Sequence, residues 1–349
     1  MVKIRHPLMA ALALAAVLAP VAQAQAAERW LFNCFFPPQH YACTQMVAEL
    51  RTRIETATEK RVRVSTPPKS LAAPPDQYDG VVNGVMDGAL QFNQFIANKV
   101  AGAQLAQLPF VGIEGAEAAS VALWETYEKF FADKNEYGPV KLLSFYVSNG
   151  AEFYSTNDTP IKTVEDIGGR KMWALPGVTA NLVKETGSPV VAGPAVQMLE
   201  IISKGVTDGY VGVPISSVLE FKLTDYTRSA TAFKRKVFQP SFSFFVSKGK
   251  WDAISKADQD AIMKVMGVDF ARFAGKVQDG FQRDAKSAIK AAGITVHEGS
   301  DDTLARLEAL GKPAIDAWVE RVGKMGVDGR EAIKFYQSVL ARESKAAAK

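Results

Sequence analysis

Apolar and polar positions follow two periods along this chain, and their succession predicts strands and helices in turn. Arg29–Phe36 is a largely apolar run with strand character, closed by the loop Phe36-Pro37-Pro38-Gln39. Tyr41–Ala57 sets Met46, Val47, Leu50 and Ile54 on one face at helical spacing. Arg61-Val62-Arg63-Val64-Ser65 alternates with period two and reads as the second strand. A helix over Tyr78–Asn83 stops at Gly84, and Asp87-Gly88 turns into the strand Ala89–Phe92. The alternation continues with a helix at Ala116–Phe131 and strands at Val140–Ser148 and Lys171–Ala174. Helices at Gly177–Thr186 and Pro194–Lys204 precede strands at Gly209–Val213 and Ser241–Val246. Ser255–Ala292 is one long helical pattern, and Asp302–Ala341 is mostly helical. Such alternation favours an α/β fold with a largely parallel sheet.

One pentapeptide recurs. Gly84-Val85-Met86-Asp87-Gly88 is echoed by Gly205-Val206-Thr207-Asp208-Gly209, each time between a helix and a strand. The first Gly suits a helix end with positive φ, and Asp-Gly suits the turn into a strand. The echo points to two similar lobes.

The chain's beginning changes the picture of where it works. Lys3 and Arg5 precede an unbroken small-apolar run from Pro7 to Ala22, about 16 residues, followed by Ala-x-Ala sites ending at Ala24 and Ala26. That is the pattern of a cleavable export signal over residues 1–26, too short for the ~20 residues of a membrane span. A mature chain of about 325 residues with 48% hydrophobic content can bury two cores. Its net charge falls from +4 to +2 with the loss of Lys3 and Arg5, so no nucleic-acid partner is expected, and beyond Ala26 no apolar stretch is long enough for membrane insertion. In an oxidising compartment Cys34 and Cys43 suit either a short disulfide loop or two buried thiols.

Candidate chemistry is sparse. The chain lacks Gly-x-Ser-x-Gly, a Walker loop and Gly-x-Gly-x-x-Gly. His40 and His297 are the histidines beyond the signal, without metal-ligand spacing, so neither metal nor cofactor is expected. An exported two-lobed α/β chain without catalytic groups reads as a binding protein, not an enzyme, with its cleft between the lobes.

Ordered markers then carry a resemblance. They are Pro37-Pro38-Gln39-His40, the two pentapeptides, Leu108-Pro109-Phe110, Pro160-Ile161, Asp166-Ile167-Gly168-Gly169-Arg170-Lys171-Met172-Trp173 and Trp251-Asp252-Ala253-Ile254-Ser255. From about Trp30 to Phe335 the chain resembles the periplasmic solute-binding subunits of tripartite ATP-independent periplasmic (TRAP) transporters, the DctP family. The resemblance implies a two-lobed periplasmic binding protein with a ligand cleft between lobes and long C-terminal helices. The first lobe would hold residues 28–147 plus 238–275, and the second 148–237 plus 276–345. It implies capture of a small solute in the periplasm and delivery to TRAP membrane permease subunits without ATP. The same scaffold could instead feed a membrane sensor.

Two departures bear on the solute. Trp173 stands where the family has a carboxylate-binding arginine, and Glu152 where a second arginine often stands. An acid beside an indole suits a cation, so the first expectation is a small amine or amino alcohol resembling ethanolamine. The alternative is an apolar or aromatic acid stacked on Trp173, its carboxylate met by backbone amides or His40. Further cleft candidates are Phe35, Phe36, Pro38, Gln91, Phe92, Asn93, Tyr210 and Phe244, from strand ends and their loops.

Overall fold

Two mixed β-sheets organise the protein. The structure, a computed structural model, describes residues 27–347. The expected export signal and its cleavage sites lie outside the described residues. In chain order the strands are β1 (Glu28–Asn33), β2 (Val62–Ser65), β3 (Gly88–Phe92), β4 (Val140–Val147), β5 (Phe153–Ser155) and β6 (Met172–Ala174). They continue as β7 (Val190–Ala192), β8 (Gly209–Val211), β9 (Ser229–Ala232), β10 (Ser241–Ser247) and β11 (Thr295–Glu298).

The first sheet has the order β2-β1-β3-β10-β4 and the second β11-β9-β5-β8-β6-β7. β1 runs parallel to β2 and β3, while β10 is antiparallel to both β3 and β4. In the second sheet β5 is antiparallel to both β8 and β9. The largely parallel sheet expected from the alternation is therefore corrected to two mixed sheets. The reason is the path. The chain leaves the first sheet after β4, builds most of the second, and returns as β10 between β3 and β4. Such a return sends a strand back against its neighbours.

Local patterns explain individual elements. In β2, Val62 and Val64 are buried while Arg63 and Ser65 are exposed, as period two requires. The expected helix over 41–57 opens with a wide turn of π geometry at Ala42–Val47 before the α-helix Ala48–Ala57. Cys34 and Cys43 are disulfide-bonded with Cα atoms 5.7 Å apart, which settles the choice between disulfide and thiols.

The repeated pentapeptide performs one job twice. Gly84 and Gly205 end their helices with φ of +73° and +65°. Asp87 then accepts the Leu31 N–H at 2.7 Å and donates its own N–H to the Leu31 carbonyl. Asp208 does the same to Lys171, just before β6. The second glycine of each copy begins a strand, and its role is room. A Cβ at Gly88 would lie 2.7 Å from the Phe32 ring, and one at Gly209 would lie 2.6 Å from the Tyr154 carbonyl oxygen.

The predicted helix over 255–292 divides into Lys256–Val265 and Gly267–Ala291. Gly267 takes a φ of +57° beside the Trp124 indole, a backbone that ends one helix and starts the next. The long helix Gly267–Ala291 lies along β4 and the helix Ala116–Phe130, and also touches the helix Ser216–Glu220 that follows β8. It therefore contacts elements of both sheets. The C-terminal pattern forms helices Asp301–Gly323 and Gly329–Ala347, and the latter packs on Ala116–Phe130.

Candidate functional site

The carboxyl ends of β1, β3, β4, β6, β7 and β8 and the start of β10 converge on one pocket. Strand ends are where open α/β sheets place ligands, because the loops there are free to diverge. Its empty volume, including the part open to solvent, is about 500 Å³. The walls are mostly aromatic. Phe36 stacks on His40 with centroids 4.1 Å apart and planes 8° from parallel. Tyr146 stacks on Phe242 at 5.1 Å, and Phe92 lies 5.3 Å from the same Phe242 ring. Phe95 meets Phe92 edge-on, and Leu175, Pro194, Ala195, Val213 and Phe221 complete the apolar surface.

The polar groups are few and fixed. Ser148 and Ser217 line the pocket together with His40, Tyr41 and Tyr146. Tyr41 and Tyr146 share a hydroxyl contact at 3.0 Å, and both donate to Gln278 Oε1 on the long helix. Gln278 Nε2 in turn donates to Ser216 Oγ at 3.0 Å, so one amide ties β4 to the helix after β8. Burial drives both phenols well above the ordinary tyrosine range, so they stay neutral donors.

His40 is buried, with Nδ1 accepting the Ala42 N–H at 3.1 Å and Nε2 3.5 Å from Glu220 Oε2. Loss of solvent pushes the imidazole down to about 3 and the Glu220 carboxyl up to about 7. Among the described residues no Lys or Arg lines this pocket.

A second, larger cavity opens elsewhere, lined by Glu114, Glu152, Lys236 and Lys286 among others. Lys236 Nζ lies 2.7 Å from Glu152 and 3.0 Å from Glu114, and Lys286 holds Glu114 from the long helix at 2.8 Å. Burial opposes both charges of the inner pair. It pushes the Glu152 carboxyl up to about 7, while Glu152 and Glu114 together hold Lys236 above the usual lysine range. The lysine stem lies across Gly150, where a Cβ would sit 2.1 Å from Lys236 Cγ.

Of the residues singled out in the sequence, the structure brings Phe35, Phe36, His40 and Phe92 to the aromatic pocket. It does not bring the others there. Glu152 lines the second cavity with Lys236 as its partner. Trp173 is fully buried in the core cluster that includes Tyr154, Tyr210 and Met198, and its Nε1–H has no partner. The acid-beside-indole arrangement that motivated an amine is thus not assembled at the aromatic pocket. Tyr210 stacks on Tyr154 at 4.4 Å and shares a hydrogen bond with the Thr227 hydroxyl. Gln91 spends its amide on the Tyr78 N–H and the Phe92 carbonyl, and Asn93 spends its own on Ser241 and Ser243. Phe244 packs between Phe32 and Phe270, and Pro38 lines a separate cleft beside the disulfide.

Sequence reasoning missed Tyr41, Tyr146, Ser148, Leu175, Ser217 and Phe242. No sequence signal marked Tyr146 or Phe242. Both belong to strands whose burial runs on both faces, so their aromatic rings had no period to mark them.

The family model for bacterial extracellular solute-binding protein family 7, DctP, matches residues 34–321. A protein of Comamonas testosteroni named outer membrane transporter protein TsaT is 35% identical over 329 residues, 94% of this chain and 96% of its own. A TRAP periplasmic solute-binding protein from Bordetella bronchiseptica, solved with bound (R)- and (S)-mandelate, is similar at a TM-score of 0.83 and 25% identity. That likeness covers 90% of this chain and 99% of the other. A marine metagenome TRAP solute-binding protein specific for aromatic acid ligands, solved with 3-hydroxybenzoate, gives a TM-score of 0.79 at 25% identity. It covers 90% of this chain and 98% of its own. The expected α/β periplasmic-binding-protein fold with long C-terminal helices is the fold of these structures.

Proposed function

The chain belongs to bacterial extracellular solute-binding protein family 7, the DctP family, and on that footing we propose that its cargo is a small aromatic carboxylic acid. As a member it is a binding protein for a small solute and not an enzyme. The observation that carries the proposal is the pair of parallel stacks, Phe36–His40 and Tyr146–Phe242, facing a common pocket. Flat walls of this kind favour a flat apolar ring, through area burial and offset stacking. The mandelate and 3-hydroxybenzoate held by two similar structures support the same class.

The carboxylate would meet neutral donors, Ser148 and Ser217, in place of an arginine fork. Uncharged donors can hold a buried anion when they are preoriented, and the Gln278 tether preorients this wall. The protein would close its lobes, residues 28–147 plus 238–275 and 148–237 plus 276–345, over the solute. It would then deliver the solute to a TRAP permease from the periplasm, after export and cleavage following Ala24 or Ala26. A thermal-shift panel tests the cargo. Benzoate, mandelate or 3-hydroxybenzoate should stabilise the fold by about 2.7 kcal/mol at a hundredfold excess over Kd. Stabilisation by ethanolamine or choline alone would overturn the proposal.

A further inference from the structure

Resting on the aromatic-acid reading, we infer that the pocket takes up its cargo together with one proton, accepted by the His40–Glu220 pair in place of a fixed cation. The pair links the loop after β1 to the helix after β8. His40 lies just before the first helix after β1, and Glu220 ends the helix after β8. Their nearest atoms, Nε2 and Oε2, are 3.5 Å apart. The tautomer of the neutral ring follows from its other nitrogen. Nδ1 accepts the Ala42 N–H, so the proton resides on Nε2 and faces Glu220.

A carboxylate arriving here meets no lysine or arginine among the lining residues, and an ionised Glu220 stands directly behind His40. Glu220 does not itself line the pocket, but two carboxylates on either side of one buried imidazole repel, and the usual resolution is for one proton to stay between them. The other groups facing the pair do not supply it. Tyr41 and Tyr146 are neutral and already donate to Gln278. Asp279, which faces Tyr146 from the long helix, is held by the backbone N–H groups of Ala116 and Glu117 and by Asn149. Burial has brought Glu220 to about 7, so near neutral pH it is the carboxyl poised to change state. The step is a simple addition. One proton from water joins the His40–Glu220 pair, its charge passes from −1 to zero, and the bound anion keeps the single negative charge.

The consequence is linkage. Above pH 7 the affinity for benzoate falls by about tenfold per pH unit, because the empty pair has lost the proton that the complex requires. Isothermal titration with benzoate at pH 8, in phosphate and in Tris buffer, counts that proton through the difference in buffer ionisation heat. The wild type should take up close to one proton per benzoate. Glu220→Gln, which mimics the protonated carboxyl, should take up none and bind benzoate at pH 9 at least about tenfold more tightly than the wild type. Benzoate binding without proton uptake by the wild type overturns this inference and leaves the aromatic-acid reading standing. Uptake unchanged in Glu220→Gln overturns it too. Failure of every aromatic acid to bind between pH 6 and 9 overturns both.

Discussion

Lys236 Nζ stands 2.7 Å from Glu152 Oε1, and the pair joins the stretch just after β4 to the stretch just before β10. These are two places where the chain crosses between the sheets, so the ion pair sits where any relative movement of the sheets must be absorbed. Glu152 therefore has a cation of its own in Lys236.

Removing the cation should be costly and pH-dependent. Lys236→Met leaves Glu152 buried without a partner and should destabilise by about 3–5 kcal/mol at pH 8. The sign with pH follows from the carboxyl, which burial holds near 7 in the fold against 4.5 in the unfolded chain. The folded variant binds that proton more tightly, so its stability relative to wild type should recover as pH falls from 8 to 5. Urea unfolding at both pH values measures this. Wild-type stability of Lys236→Met at pH 8 would remove the pair from the account.

The stacked wall predicts a graded loss of binding. Phe242→Leu keeps most of the volume but removes a ring shared by Tyr146 and Phe92. Stacking beyond area burial is about 0.5–1.5 kcal/mol, so benzoate affinity should fall by about two- to tenfold. Calorimetry on a variant with an unchanged circular dichroism spectrum reads it. Undiminished affinity would mean that the ring does not touch the cargo.

Much of this arrangement was legible in the sequence, and the missing part has a physical cause. Helix ends at Gly84 and Gly205 were readable because positive φ restricts residue choice at one position. His40, Phe35, Phe36 and Phe92 were readable because strand ends and the loop after β1 are local features. Phe242 was not, because its place beside Tyr146 depends on a strand that returns almost a hundred residues later. Lys236 stayed hidden for the same reason, and without it Glu152 looked like a free acid. The three-residue strands β5 and β7 are too short to show a period at all.

The disulfide should matter to the site as well as to the fold. Phe35, Phe36 and His40 all lie inside the loop closed by Cys34 and Cys43. A Cys34→Ser/Cys43→Ser variant should lose roughly 2–3 kcal/mol of stability, the chain entropy of a loop this short. It should also bind benzoate more weakly, since ordering Phe36 against His40 must then be done on binding. Equal affinity in the oxidised and double-serine proteins would show that the loop holds its shape unaided.

Trp173 gives a test of position. Its indole N–H is buried without a partner, so Trp173→Phe removes an unsatisfied donor while losing some packing. These effects oppose each other, and net stability should stay within about 1 kcal/mol of wild type. Trp173→Ala should instead cost about 3–5 kcal/mol. Benzoate affinity should be the same in Trp173→Phe as in wild type. A tenfold loss there would place the indole N–H on the ligand.

The class of cargo is decided most directly by one titration. Calorimetric titration of the protein at pH 7 with benzoate, and separately with ethanolamine, should give saturable micromolar or tighter binding for benzoate and none for ethanolamine. Binding of ethanolamine with no response to benzoate would contradict the account at its root.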